Sequence, residues 1–272
     1  MKNLNILKRT VLITGAGGGL GQALVNEFFS RGWDVIATDT VDNITRLKNP
    51  DPGIRRLPMD VTSEPSIQAV FEELKGRNQD LDLIINNSGI DAYFPLSETP
   101  VGKFRDVFEV NVFGSYRVNR AFLPLIRKPG GRIIHVSSES VKINVPFMPY
   151  PLSKQALEGY CRTLRLELRF LGVDVTIIRP GAIRTPFLEN LKNIKNPVEN
   201  SQLSGPFEKF ARQARQEVGK TGEPEVVARF IFRIASLKRT RMFYAVNNDP
   251  KLSIAAILPF RLLENFVYRR LK

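Results

Sequence analysis

The sequence predicts an α/β fold, a doubly wound parallel sheet with helices on both faces. Two observations predict it. Short apolar segments alternate along the chain with longer amphipathic ones, and most of the short segments lack the strict in/out alternation of half-exposed strands. Strands buried on both faces read this way. The strand segments are Val11–Thr14, Asp34–Asp39, Ile54–Asp60, Leu81–Asn87, Gly131–Ser137, Asp174–Pro180 and Arg241–Val246. The helical patterns between them are Leu20–Arg31, Glu64–Lys75, Val101–Arg127, Ser153–Leu171 and Glu223–Ser236. No repeat and no low-complexity linker interrupts the rhythm, so residues 1–272 read as one domain.

Two stretches fall outside this rhythm. Residues 187–221 are polar and broken by Pro197, Gly205 and Pro206, and are expected to form a substrate lid near a strand end. In the tail, residues 251–272, Leu262, Leu263, Phe266, Val267 and Leu271 recur at helical spacing, with Arg261, Glu264, Arg269 and Arg270 elsewhere on the wheel. Pro259 suits the first turn of that helix. Three roles are open to the tail: packing on the core, meeting a second subunit, or lying on a membrane surface.

Composition narrows the classes. With 43% hydrophobic and 25% charged residues among 272, the chain has enough apolar material to offset its conformational entropy. No run of 18 or more apolar residues occurs, which argues against a membrane-spanning helix. The N-terminal segment is basic and then apolar but lacks a small-residue cleavage site, so it does not read as a signal peptide. One cysteine, Cys161, and one histidine, His135, supply neither an intramolecular disulfide nor a zinc tetrad, and a reducing cytoplasmic setting is expected. The net charge is +13, and residues 205–272 carry 14 Lys/Arg against 6 Asp/Glu. Such a surface attracts anions, including lipid headgroups and nucleic acid, or simply stays solvated.

The chemistry starts where the first strand ends. Gly15, Gly17, Gly18, Gly19, Leu20 and Gly21 lie between that strand and a helix. Glycines there let the backbone turn tightly and approach a pyrophosphate, which the free N–H groups of the helix start then bind. Asp39 ends the second strand, 18 residues after Gly21. A carboxylate at that place accepts hydrogen bonds from ribose hydroxyls and repels a 2′-phosphate, so NAD is expected over NADP. Asp60, Val61, Asn87, Ser88 and Gly89 also fall at strand carboxyl ends, and Asp60 is placed to meet the adenine amino group. Tyr150 and Lys154 are spaced i, i+4 on one helix face, with Ser137 and Ser138 ending the fifth strand. A phenol titrates near about 10, and a neighbouring ammonium favours its ionised form. Tyrosine then becomes a usable general acid/base.

Taken together these residues resemble the short-chain dehydrogenase/reductases. Thr14-Gly15-x-x-x-Gly19-x-Gly21 resembles the family's cofactor loop, and Asn87-Ser88-Gly89 its Asn-Ala-Gly turn with Ser for Ala. Asn111, Ser138, Tyr150 and Lys154 match its catalytic Asn, Ser, Tyr and Lys. Pro180, Gly181, Ile183 and Thr185 lie in a match to its Pro-Gly-x-x-x-Thr nicotinamide loop. The resemblance spans about residues 10–246 in family order. It implies a Rossmann-like, seven-stranded parallel sheet and NAD(P)-dependent exchange of alcohol and carbonyl. It also implies roles. Tyr150 transfers the proton, Lys154 lowers its pKa and binds the nicotinamide ribose, Ser138 orients the substrate oxygen, and Asn111 holds a water feeding a relay to Lys154. Many members are homodimers or homotetramers.

The Ser138–Tyr150 spacing of 12 residues is short and is similar to the retinol and hydroxysteroid dehydrogenase branch; Ser137, at 13, is the rival serine. His135 stands where the family often has asparagine and is expected to be a core residue. Pro151 is expected to mark the helix start. Ala92, Tyr93, Phe94, Phe147, Met148, Phe187 and Leu188 are expected at the mouth of an apolar substrate pocket, with Arg184 close enough to offer a cation. A steroid, retinoid or similar lipid fits that mouth, and the basic tail suits peripheral membrane contact. Two other readings stand beside this one. One is a catalytically silent cofactor-binding regulator, against which the intact Tyr150 and Lys154 count. The other is a basic membrane-surface or nucleic-acid binder, against which the missing aromatic-basic interleaving counts, so no nucleic-acid partner is expected.

Overall fold

In a computed structural model of the chain, the described residues are 8–48, 51–186, 194–195, 197, 200–217 and 221–272. Seven strands, β1 (Thr10–Thr14), β2 (Asp34–Asp39), β3 (Arg55–Pro58), β4 (Leu83–Asn86), β5 (Arg132–Val136), β6 (Asp174–Pro180) and β7 (Phe243–Val246), form one sheet. Their order is β3-β2-β1-β4-β5-β6-β7, and every pairing is parallel. This is the Rossmann-like arrangement predicted. The order reverses between β1 and β4, which opens a crevice beyond the carboxyl ends of those strands.

Both sheet faces are dry. Val11, Ile13, Val35 and Ile85 point to one side and pack with α1 (Gly19–Ser30) and a later helix, Pro224–Ala235. Leu12, Ile36, Ile84, Ile133 and Val175 point to the other side. There they meet Glu64–Gly76, Ser115–Phe122 and the long helix Tyr150–Leu168. Alternate strand residues therefore serve two apolar layers, which is why the sequence shows runs instead of alternation.

Element boundaries differ from the prediction in instructive ways. The expected helix Val101–Arg127 is helical over Val101–Phe108, widens to a π-turn over Glu109–Gly114, and resumes over Ser115–Phe122. A 3-10 turn at Leu123–Leu125, containing Pro124, ends it. The long helix starts at Tyr150, three residues before the expected Ser153, with Pro151 in its first turn where no N–H is needed. It closes through a 3-10 turn at Arg169–Leu171 onto Gly172, whose φ of 69° completes the left-handed stop.

Within the expected lid, the described residues include the helix Ser204–Glu217. It buries Phe207, Phe210 and Ala211 against Phe147 and Ile194. The tail forms the helices Pro250–Ala255 and Phe260–Leu271. Leu271 packs on the Phe207 cluster, Gln213 Nε2 donates to the Arg270 carbonyl at 3.2 Å, and Lys209 Nζ donates to the Lys272 carbonyl. Under the last helix lies an apolar cavity of about 750 Å³, lined by Leu96, Met148, Pro151, Leu152, Leu263 and Val267 among others. No helix among the described residues is long and apolar enough to cross a membrane.

Candidate active site

The crevice at the β1/β4 reversal gathers the predicted residues. Gly15 turns the chain out of β1 with φ +65°, and a Cβ there would lie 2.9 Å from Ser88 Cα. At Gly21 a Cβ would lie 2.0 Å from the Gly15 carbonyl oxygen, and at Gly19 2.7 Å from Thr185 Cγ2. These positions admit glycine alone. The helix that follows has Gly18 as its N-cap with no side-chain cap, so its first N–H groups face the crevice without a side-chain acceptor. Asn87 ties the turn to the neighbouring strand: its Nδ2 donates to the Thr14 and Gly15 carbonyls, both at 3.1 Å. The Thr14 hydroxyl accepts from the N–H groups of Asn87 and Ser88 at 3.0 and 3.1 Å. This cradle fits a dinucleotide pyrophosphate.

Asp39 stands at the end of β2, with Oδ2 accepting from Gly17 N at 2.9 Å and Oδ1 from Thr40 N at 2.8 Å. Its carboxylate is thereby fixed against the glycine turn. Asp60 Oδ1 accepts from the Thr62 N–H and hydroxyl, both at 2.8 Å, which closes the turn after β3. Val61 is buried and lies against the π-turn: a Cβ on Gly114 would be 2.7 Å from Val61 Cγ2. Gly181 is pressed on the Asn247 carbonyl, leaving no room for a side chain, and the segment through Ile183 ends with Thr185 against Gly19. Ile183 pairs with Gly222 in an isolated bridge. Arg184 turns outward and pairs with Glu223 on the surface, so it offers the pocket no cation.

On the other wall, Tyr150 begins the long helix and Lys154 follows one turn later, its Nζ 5.5 Å from the centre of the Tyr150 ring. Lys154 Nζ donates to the Val136 carbonyl at 2.9 Å, and burial pulls its pKa down to about 8. Ser138 is hydrogen-bonded to the Tyr150 hydroxyl, and its Oγ also accepts from Ser140 N at 3.1 Å. Burial first, then the negative charge of Asp91, push the phenol above its ordinary value, while the Ser138 hydrogen bond pulls it down. Ser137 is engaged elsewhere, donating at 2.8 Å to Glu158, which Arg179 clasps with contacts of 2.9 and 2.6 Å.

Asn111 lies in the π-turn and is fully buried. Its Oδ1 accepts from Ile90 N at 2.8 Å, and its Nδ2 donates to the Ile90 carbonyl at 3.0 Å and to Ser153 Oγ at 2.9 Å. Ser153 in turn donates to the Tyr150 carbonyl at 2.7 Å. The π-turn thus presents one side chain that joins the turn after β4 to the helix bearing Tyr150. Between them is Gly89, where a Cβ would sit 3.3 Å from Asn111 Oδ1 and 3.5 Å from Lys154 Nζ.

The remaining expected residues divide. Phe94 and Phe147 are buried, tied by Phe94 N donating to the Phe147 carbonyl at 2.9 Å, and Phe147 packs on Phe207 and Phe210. Met148 lines the cavity under the tail helix. Phe187 and Leu188 lie outside the described residues. His135 is a core residue: Asn119 bonds its Nε2 at 3.1 Å, and burial lowers its pKa to about 3. Sequence reasoning missed Asp91, whose signal was a charged residue inside the otherwise apolar Ile90–Phe94 stretch. It also missed Glu158, a glutamate that helical spacing places on the sheet-facing side.

A parallel sheet with a glycine cradle at its reversal, and a Ser–Tyr–Lys cluster facing it, define a dinucleotide-binding α/β protein equipped for proton transfer. Comparison with known proteins gives the finer class. The family profile described as short chain dehydrogenase matches residues 9–196. An uncharacterized oxidoreductase, YusZ of Bacillus subtilis (strain 168), is 30% identical over 97% of this chain and 99% of its own length. The NADPH-dependent 1-acyldihydroxyacetone phosphate reductase of Schizosaccharomyces pombe is 36% identical over 78% of this chain and 73% of its own length. A solved short-chain dehydrogenase from Streptomyces avermitilis superposes with a TM-score of 0.74 at 25% identity, covering 96% of this chain and 93% of that one. The chain belongs to the short-chain dehydrogenase/reductase family of NAD(P)-binding oxidoreductases.

Proposed function

We propose that the protein interconverts an alcohol and a carbonyl on an apolar substrate, a steroid, retinoid or similar lipid, and uses NAD in preference to NADP. The observation that carries the reading is the Tyr150 hydroxyl bonded to Ser138, with Lys154 on the same helix face. A bound nicotinamide supplies or accepts the hydride. Tyr150 gives the substrate oxygen its proton or removes it, and Ser138 holds that oxygen. Lys154 binds the nicotinamide ribose, and Asn111 holds the proton path to Lys154 in place. The apolar cavity beside Met148 and Pro151, of a size usual for small-molecule sites, supports a lipid substrate. Asp39, fixed against the glycine turn, supports NAD.

A panel of steroid, retinoid and simple alcohols and ketones, assayed by nicotinamide absorbance with NAD and NADP in parallel, tests this. Turnover of apolar substrates with NAD is expected, and Asp39→Ser should move the cofactor ratio toward NADP by about tenfold, near 1.4 kcal/mol. A wild-type preference for NADP removes the Asp39 argument. Good turnover of sugars with none of lipids removes the apolar substrate.

The tail favours peripheral membrane contact. Ile257, Phe260, Phe266 and Tyr268 are exposed beside Arg261, Arg269 and Arg270. The protein should co-sediment with vesicles containing anionic phosphatidylserine and not with neutral ones, and deletion of residues 257–272 should abolish this. Exposed Phe113 and Tyr116, in and just after the π-turn, and Leu166 and Phe170, at the end of the long helix and in the 3-10 turn beyond it, support a homodimer or homotetramer, which light scattering of the same preparations reads.

A further inference from the structure

One carboxylate stands inside the apolar wall of the site. Asp91 occupies the turn after β4, where its Oδ1 accepts from Ala92 N at 2.7 Å and its Oδ2 accepts from the Tyr93 hydroxyl. Each oxygen keeps further acceptor capacity. The turn is fixed by the Phe94–Phe147 backbone bond and by the Tyr93 ring against Phe210, 6.3 Å between centres. Asp91 makes no ion pair among the described residues. Two cations of the site are engaged elsewhere, Lys154 with the Val136 carbonyl and Arg184 with Glu223. The titratable groups facing it are Tyr93, directly, and Tyr150, whose phenol its charge holds back from ionising. Burial raises the Asp91 carboxyl to about 6.

A half-buried carboxylate with spare acceptor positions, apolar neighbours and no ion pair among the described residues is incomplete electrostatically. It also opposes the ionised form of Tyr150. A positive group delivered by the substrate corrects both faults at once, since it pairs with Asp91 and removes the repulsion on the phenolate. A neutral hydroxyl fills an acceptor position without cancelling the charge. Resting on the dehydrogenase reading above, we propose that Asp91 is a specificity-determining residue that pairs with a cationic amine carried by the substrate near its reacting carbon. The substrate class is then an apolar amino ketone or amino alcohol. Tyr93 is a positioning residue that aims the carboxylate.

The test is binding of dodecylamine and of 1-dodecanol to the protein–NADH complex, read by nicotinamide fluorescence. Wild type is expected to bind the amine at least about tenfold more tightly than the alcohol, and Asp91→Asn to bring the two within about twofold while 1-dodecanol and NADH bind as before. Equal binding of the two probes by wild type, or an undiminished amine preference in Asp91→Asn, overturns the proposal. Should Asp91→Asn fail to fold, wild type decides: the amine preference must fall toward equality as the pH drops below about 6 and Asp91 takes up its proton, and a preference unchanged across that range overturns the proposal. A protein that binds NADH and 1-dodecanol yet ignores the amine retires the amine site and leaves the dehydrogenase reading standing. Absence of NADH binding defeats that reading itself.

Discussion

Tyr150→Phe is expected to lower kcat/KM by about 10²–10⁴-fold, the usual contribution of a positioned general acid or base, while dinucleotide affinity stays unchanged. The variant removes one oxygen. That oxygen is bonded to Ser138 and sits above a helix start anchored through Ser153 and Asn111. The phenyl ring stays between the same neighbours, so folding should be preserved. Stopped-flow measurement of the reductive half, with NADH binding titrated separately, separates chemistry from cofactor capture. Ser138→Ala is the companion variant and should be impaired in the same parameter. Unchanged activity of Tyr150→Phe in cells would favour the cofactor-binding regulator.

The second large effect falls on stability. Glu158 is almost wholly buried, and its carboxylate is held by Arg179 and by the Ser137 hydroxyl. Arg179 also lies over the Phe243 ring, 4.3 Å from its centre, so it fastens the long helix to β6 and β7. Arg179→Met leaves the buried Glu158 charge with only the Ser137 hydroxyl and a longer, 3.9 Å contact to the exposed Arg162, and should destabilise the fold by about 3–5 kcal/mol. Urea unfolding at neutral pH measures it. The double variant Arg179→Met with Glu158→Leu should recover most of the loss, because the carboxylate that had lost its guanidinium is gone as well. A single variant as stable as wild type would show that solvent already reaches Glu158.

The sheet was legible in the sequence because each strand carries its burial in its composition. Val11, Leu12 and Ile13 have to be apolar whichever way they point, and all three are fully buried. The glycine cradle was legible because backbone contact excludes every side chain at Gly15 and Gly21. Tyr150 and Lys154 were legible because a helix converts spacing into proximity. What stayed hidden depends on long-range partners. Nothing local to Glu109–Gly114 announces a π-turn. It arises where Asn111 reaches the Ile90 backbone, 21 residues away. Ser137 and Ser138 are adjacent and alike in sequence, and only Glu158 and Tyr150, arriving from the following helix, distinguish them. The tail shows the same limit. Its periodicity gave a helix, yet the one-sided footing on Leu271, Arg270 and Lys272 depends on where Ser204–Glu217 lies.

The bonds from Asn87 to Thr14 and Gly15 are made by the chain alone. The loop that would grip a nucleotide is therefore stitched shut by the neighbouring strand as the sheet assembles, and its ordering entropy is spent during folding. Capture then resembles a key meeting a finished lock. Changing the stitch at residue 87 would slacken the grip by loosening the turn at Gly15 itself.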